Sequence, residues 1–76
     1  MPHVVVKLYS GRSEQQKARL AEEVTKAVMK GANCGEEAVS VSIEDVEPAQ
    51  WNDKVYKPDI LRDWDRLYKK PGYTPS

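Results

Sequence analysis

Pro2 can carry chemistry that no other residue type in the chain offers. Once Met1 is removed, the Pro2 nitrogen becomes a secondary amine with a free lone pair. Left inside the chain, the same nitrogen is an amide without one. A small residue after methionine favours processing, so the expected mature chain runs from 2 to 76, with Pro2 as a rigid, partly buried base. The other reactive types suggest less. Cys34 is the only cysteine and has no evident base beside it. The single histidine, His3, reads as a strand residue facing solvent or a partner. No His/Cys cluster has metal-ligand spacing, and no glycine-rich phosphate loop occurs. Neither a metal nor a cofactor is therefore expected.

The elements that must hold Pro2 are short. Val4-Val5-Val6-Lys7-Leu8-Tyr9 is β-branched and aromatic and stops at Ser10-Gly11, which predicts a strand. Its even positions are apolar; its odd positions, including Lys7 and Tyr9, are mixed. Ser13, with Gln16 three residues on, forms a capping box that opens a helix. Leu20, Val24, Ala27 and Val28 give that helix one apolar stripe, and Gly31 is placed to cap its end. After a loop at 33–37, Ala38 to Glu44 alternates apolar with polar residues and predicts a second, half-buried strand. Strand, helix and strand make a βαβ unit with parallel strands and a right-handed crossover. Pro48 then starts a short helical turn holding Trp51. Pro58 starts another, with Ile60, Leu61, Trp64, Leu67 and Tyr68 as its apolar stripe, and Tyr73 to Ser76 reads as a tail.

The 76 residues suit one α/β domain spanning 1–76. Two strands and one amphipathic helix make too small a core to stand alone. The sheet is therefore expected to be completed by homo-oligomerisation. Twelve basic and twelve acidic residues cancel, which argues against nucleic acid as the main partner. No apolar run approaches the roughly 20 residues of a membrane span. With no apolar leader and a lone cysteine, the expected location is the cytoplasm.

Pro2, then eight residues, then Gly11-Arg12-Ser13 with Gln16-Lys17 on the next turn, resembles the tautomerase superfamily typified by 4-oxalocrotonate tautomerase. The order of Pro-initiated strand, Gly-Arg-Ser turn, helix, second strand and aromatic carries the resemblance over most of the chain. It implies that Pro2 is the catalytic base, that Arg12 grips a substrate carboxylate and that Trp51 walls the pocket. Two departures stand out. Ser40 occupies the place of a second arginine on the second strand, and the 58–70 helical stretch replaces a glycine-rich hairpin. The opening Met1-Pro2-His3 and the end Lys69-Lys70-Pro71-Gly72-Tyr73 look more like the dimeric phenylpyruvate-tautomerase-like branch, so a homodimer is expected rather than a hexamer.

Moving a proton from the carbon beside a ketone needs a base that is unprotonated near neutral pH. Burial and a nearby guanidinium both lower an amine's pKa, as this role requires. The expected reaction is a 1,3-proton shift on a 2-keto acid without a cofactor. Arg12 would hold the carboxylate as a two-pronged donor, and the Trp51 indole N–H would polarise the keto oxygen. With Ser40 in place of an arginine and Tyr9 beside Trp51, an aromatic monocarboxylate such as phenylpyruvate is the expected substrate. Two rivals remain open at this level. A dehalogenase or hydratase would use a cationic Pro2 with Asp53 activating water, although Asp53 reads first as a helix-start charge. A non-catalytic binding protein would keep only the fold. Lys7 reads as an outward-facing lysine and Trp64 as structural.

Overall fold

In the computed structural model, which describes residues 1–74, two parallel strands pack against one long helix. Strand β1 (His3–Tyr9) pairs with β2 (Ser40–Val46) from His3↔Ser40 to Tyr9↔Val46. Helix α1 (Glu14–Ala32) makes the crossover. The capping box is in place: Gln16 N–H donates to Ser13 Oγ at 3.1 Å, and Ser13 N–H donates to Gln16 Oε1 at 2.9 Å. Residues on the α1 side of the sheet (Val4, Val6, Leu8, Val41 and Ile43) are half-buried. Lys17, whose side chain is 14% exposed, fixes α1 to the sheet through Asp45, at 2.9 Å, and also bonds Glu14.

Several local expectations are corrected. The helix ends at Asn33, not Gly31: Asn33 takes the left-handed conformation (φ 56°), and both its N–H and that of Cys34 donate to the Met29 carbonyl. Asparagine tolerates this conformation because its short polar side chain bonds locally, so Gly31 stays helical. Ala27 is exposed; the half-buried face of α1 runs instead through Leu20, Ala21, Val24, Thr25, Val28 and Met29. Strand β2 starts two residues later than expected because Glu36–Ala38 forms a tight turn, with Val39 N–H bonded to the Glu36 carbonyl.

The C-terminal third departs most from its reading. Pro48–Gln50 is the expected short turn, but Pro58 lies inside a wide helix, Asn52–Leu61, and does not start one. Its closing bond runs five residues back, from Arg62 N–H to the Lys57 carbonyl at 3.2 Å. The wider turn accommodates a residue that brings a ring and no N–H. The proposed stripe breaks where this helix ends. Ile60, Trp64 and Leu67 are half-buried, whereas Leu61 and Tyr68 are exposed.

This segment lies over the sheet face opposite α1. Asp59 accepts from Lys7 Nζ at 2.6 Å, and Val55, Asp59 and Ile60 share a shallow cleft with Val5, Lys7 and Glu44. Lys7 is therefore pinned under the segment and does not point outward. The buried core among the described residues is small: Val46, Val55 and Tyr56. Val5 remains 44% exposed, and among the described residues both outer sheet edges are unpaired. The radius of gyration is 13.8 Å, in a slab 18 Å across its thinnest dimension. A self-contained globule of this length would be nearer 11 Å. A flat, thinly cored slab with open edges is the form of a subunit that completes its sheet in an oligomer. No helix among the described residues is long and apolar enough to cross a membrane.

Candidate active site

The parallel sheet sorts the chemically notable residues into two groups. At its N-terminal end stand Pro2, His3 and Ser40. Pro2 is half-buried, its carbonyl accepts the Ser40 N–H at 3.1 Å, and Met1 is fully exposed. Ser40 Oγ lies 2.6 Å from His3 Nδ1, so this hydroxyl is already engaged.

The second group collects at the C-terminal end, where Gly11 turns the chain from β1 into α1. Gly11 has φ 121°, in the left-handed region that side chains avoid. The turn brings Arg12 beside the strand it has just left, where Nη1 donates to the Tyr9 carbonyl at 3.3 Å. Trp51 packs edge-on against Tyr9, with ring centroids 5.2 Å apart at 84°. An open cleft of about 390 Å³ results, lined by Lys7, Leu8, Tyr9, Arg12, Trp51 and Tyr73. Open α/β sheets bind ligands at the carboxyl ends of their strands, and this cleft lies there.

Three of the five sequence-derived residues, Tyr9, Arg12 and Trp51, are thus brought together. Pro2 and Ser40 are not with them. A strand rising about 3.3 Å per residue leaves Pro2 roughly 20 Å from Tyr9. No small substrate can touch Pro2 and Arg12 of the same chain.

Sequence reasoning missed the remaining wall. Tyr73 is no loose tail: Trp51 Nε1–H donates to its Oη at 2.9 Å, and its ring packs on Tyr56 at 5.8 Å. The indole N–H expected to polarise a keto oxygen is therefore taken by Tyr73. An aromatic set directly after Pro71-Gly72 was the available signal, since large aromatics seldom go unused in polar ends. Pro75 and Ser76, the rest of the expected tail, lie outside the described residues. Lys7 was also missed as a wall residue. Its pKa is raised above the ordinary 10.5, first by the hydrogen bond to Asp59 and further by the charges of Asp59 and Glu44, so it stands in the cleft as a fixed cation.

Asp53 sits in the first turn of the wide helix, 3.3 Å from Lys57, and does not line the cleft. Trp64 is half-buried under Lys70. Asn52 Oδ1 is buried without a partner among the described residues. Another cleft, of about 400 Å³, lies between α1 and the 36–38 turn. It gathers Glu22, Lys26 and Glu36 with apolar helix residues but none of the candidates. Among the described residues, no group of three or more His, Cys, Asp or Glu is placed to hold a metal ion.

The chain is similar to known proteins over nearly its whole length. A family model described as Tautomerase enzyme matches residues 2–52. A probable tautomerase of Xylella fastidiosa is 42% identical over 73 residues, covering 96% of this chain and 89% of that protein. Tautomerase PptA of Cronobacter sakazakii is 38% identical over 74 residues, covering 96% and 97%. Among solved structures, TomN, a 4-oxalocrotonate tautomerase homologue of the tomaymycin biosynthetic pathway, superposes with a TM-score of 0.64 at 38% identity, covering 66% of this chain and 77% of that one. The 4-oxalocrotonate tautomerase isozymes of Methylibium petroleiphilum give 0.64 at 38%, covering 66% and 81%. The shared part holds the proline-led strand, the Gly-Arg-Ser turn, the crossover helix and Trp51, and on that ground the chain belongs to the tautomerase family, whose members are isomerases.

Proposed function

We propose that the chain, once Met1 is removed, is a cofactor-independent keto-enol tautomerase of 2-keto acids, with the Pro2 nitrogen as its base. The observation that carries this is the setting of Pro2. It is held half-buried at the head of β1, while Met1 projects fully into solvent, so losing Met1 frees the nitrogen and disturbs no packing. In the ketonisation direction, the Pro2 lone pair takes the 2-hydroxyl proton of the enol. The O–H pair becomes the C2=O bond, and the C2=C3 pair takes the proton back from the prolinium at C3. Both proton positions are on the substrate, so one base suffices.

Because Pro2 and Arg12 of one chain are too far apart, each working site combines Pro2 of one copy with the Tyr9–Arg12–Trp51 cleft of another. Arg12 holds the carboxylate, and Tyr9 and Trp51 flank the aryl group. Ser40, in the place of a second arginine and engaged with His3, leaves the Pro2 end without a second anion grip. This favours a monocarboxylate such as phenylpyruvate. The C-terminal segment already occupies the sheet face opposite α1, leaving the strand edges for association, and this supports a homodimer over a hexamer.

The test is intact mass together with decay of phenylpyruvate enol absorbance. Material lacking Met1 is expected to accelerate the decay, and Pro2→Ala to lose nearly all of that acceleration. Equal rates for the two proteins would refute the reading.

A further inference from the structure

One hydroxyl in the Arg12 cleft is prepared as a donor. Tyr73 Oη accepts the Trp51 indole N–H at 2.9 Å, and its ring is braced on Tyr56, which is buried. Trp51 is braced in turn on Tyr9. A phenol that accepts one hydrogen bond keeps its own O–H to give, and accepting polarises that O–H into a stronger donor. The Tyr73 O–H meets no acceptor among the described residues, and the residue is 45% exposed at the cleft wall it shares with Arg12.

We propose that Tyr73 binds the substrate's C2 oxygen through this O–H while Arg12 holds the carboxylate, with Trp51 as the positioning residue that aims and polarises it. The inference rests on the reading that this cleft holds the molecule on which Pro2 acts. The C2 oxygen is where negative charge builds as the enol proton leaves. A fixed donor there stabilises the transition state more than the ground state. Tyr73 lies beyond residues 2–52, outside the stretch matched to the family as a whole.

Tyr73→Phe tests this, because it keeps the ring on Tyr56 and removes only the hydroxyl. With phenylpyruvate enol, kcat is expected to fall roughly 10- to 100-fold while KM rises by about fivefold. Inhibition supplies a readout that a purely structural role would not move. Phenyllactate carries an oxygen at C2 and 3-phenylpropanoate does not. The wild type should prefer phenyllactate by about fivefold or more in Ki, and Tyr73→Phe should reduce that preference to about one.

An unchanged kcat with an unchanged Ki preference overturns the role of Tyr73. A fall in kcat with the preference intact makes Tyr73 a strut only and overturns it equally. In both cases a wild type that outpaces Pro2→Ala leaves the reading of the cleft standing. A wild type no faster than Pro2→Ala removes that reading and this inference together.

Discussion

A proline nitrogen at a chain terminus differs from other α-amines in being secondary and tethered to a ring, so its lone pair points in one direction. Ordinary α-amino groups titrate at about 7.7–8.0. In the proposed site two effects act on Pro2: partial burial, and the Arg12 guanidinium of the neighbouring copy. Both disfavour the prolinium. An NMR titration of labelled Pro2 should therefore give a pKa well below that of an exposed proline terminus, and an unshifted value would count against the site. In the proposed site Arg12 acts on binding. Arg12→Ala removes a charged hydrogen-bonding partner for the carboxylate, and KM is expected to rise roughly 10- to 100-fold. A KM within about twofold of wild type would mean that the carboxylate is held elsewhere.

The elements that place these residues differ in how legible they are. The capping box of α1 reads directly from Ser13 and Gln16, because both bonds span three residues. The Gly11 turn reads nearly as well, and its φ of 121° makes a specific demand. Nothing blocks a Cβ there sterically. Gly11→Ala should still cost about 1–3 kcal/mol through backbone strain alone, measurable as a lowered urea midpoint at unchanged slope. The C-terminal segment was far less legible. Lys7 and Asp59 are 52 positions apart, Trp51 and Tyr73 are 22 apart, and no periodicity announces either pair.

The Lys7–Asp59 bond also carries a pH signature. Its lysine pKa is raised, so the bond's stabilising contribution is complete below 10.5 and is lost as pH climbs through the raised value. Trp51 fluorescence should report a loosening of the segment above about pH 10.5. Tyrosines ionise in the same range, so the informative signal is the part of the change that Asp59→Asn abolishes. An identical profile in Asp59→Asn would show that the pair does not hold the segment.

At the scale of the whole molecule, the need for a partner was readable from the count of elements: two strands, one amphipathic helix and no further sheet. Spacing alone hides how the proposed site would divide. Pro2 and Arg12 are ten positions apart in sequence and look like neighbours. An extended strand between them turns that spacing into roughly 20 Å, so they can meet only across two copies. Mixing two impaired variants, assayed at substrate well below the wild-type KM where each alone is nearly inactive, tests this most directly. In a two-fold dimer, an Arg12→Ala chain supplies Pro2 and a Pro2→Ala chain supplies Arg12, which restores one of the two sites. Refolded together in equal amounts, the pair should recover about a quarter of wild-type turnover, since half the dimers are mixed and each carries one good site. Turnover no greater than the sum of the separate variants would contradict a site built from two chains.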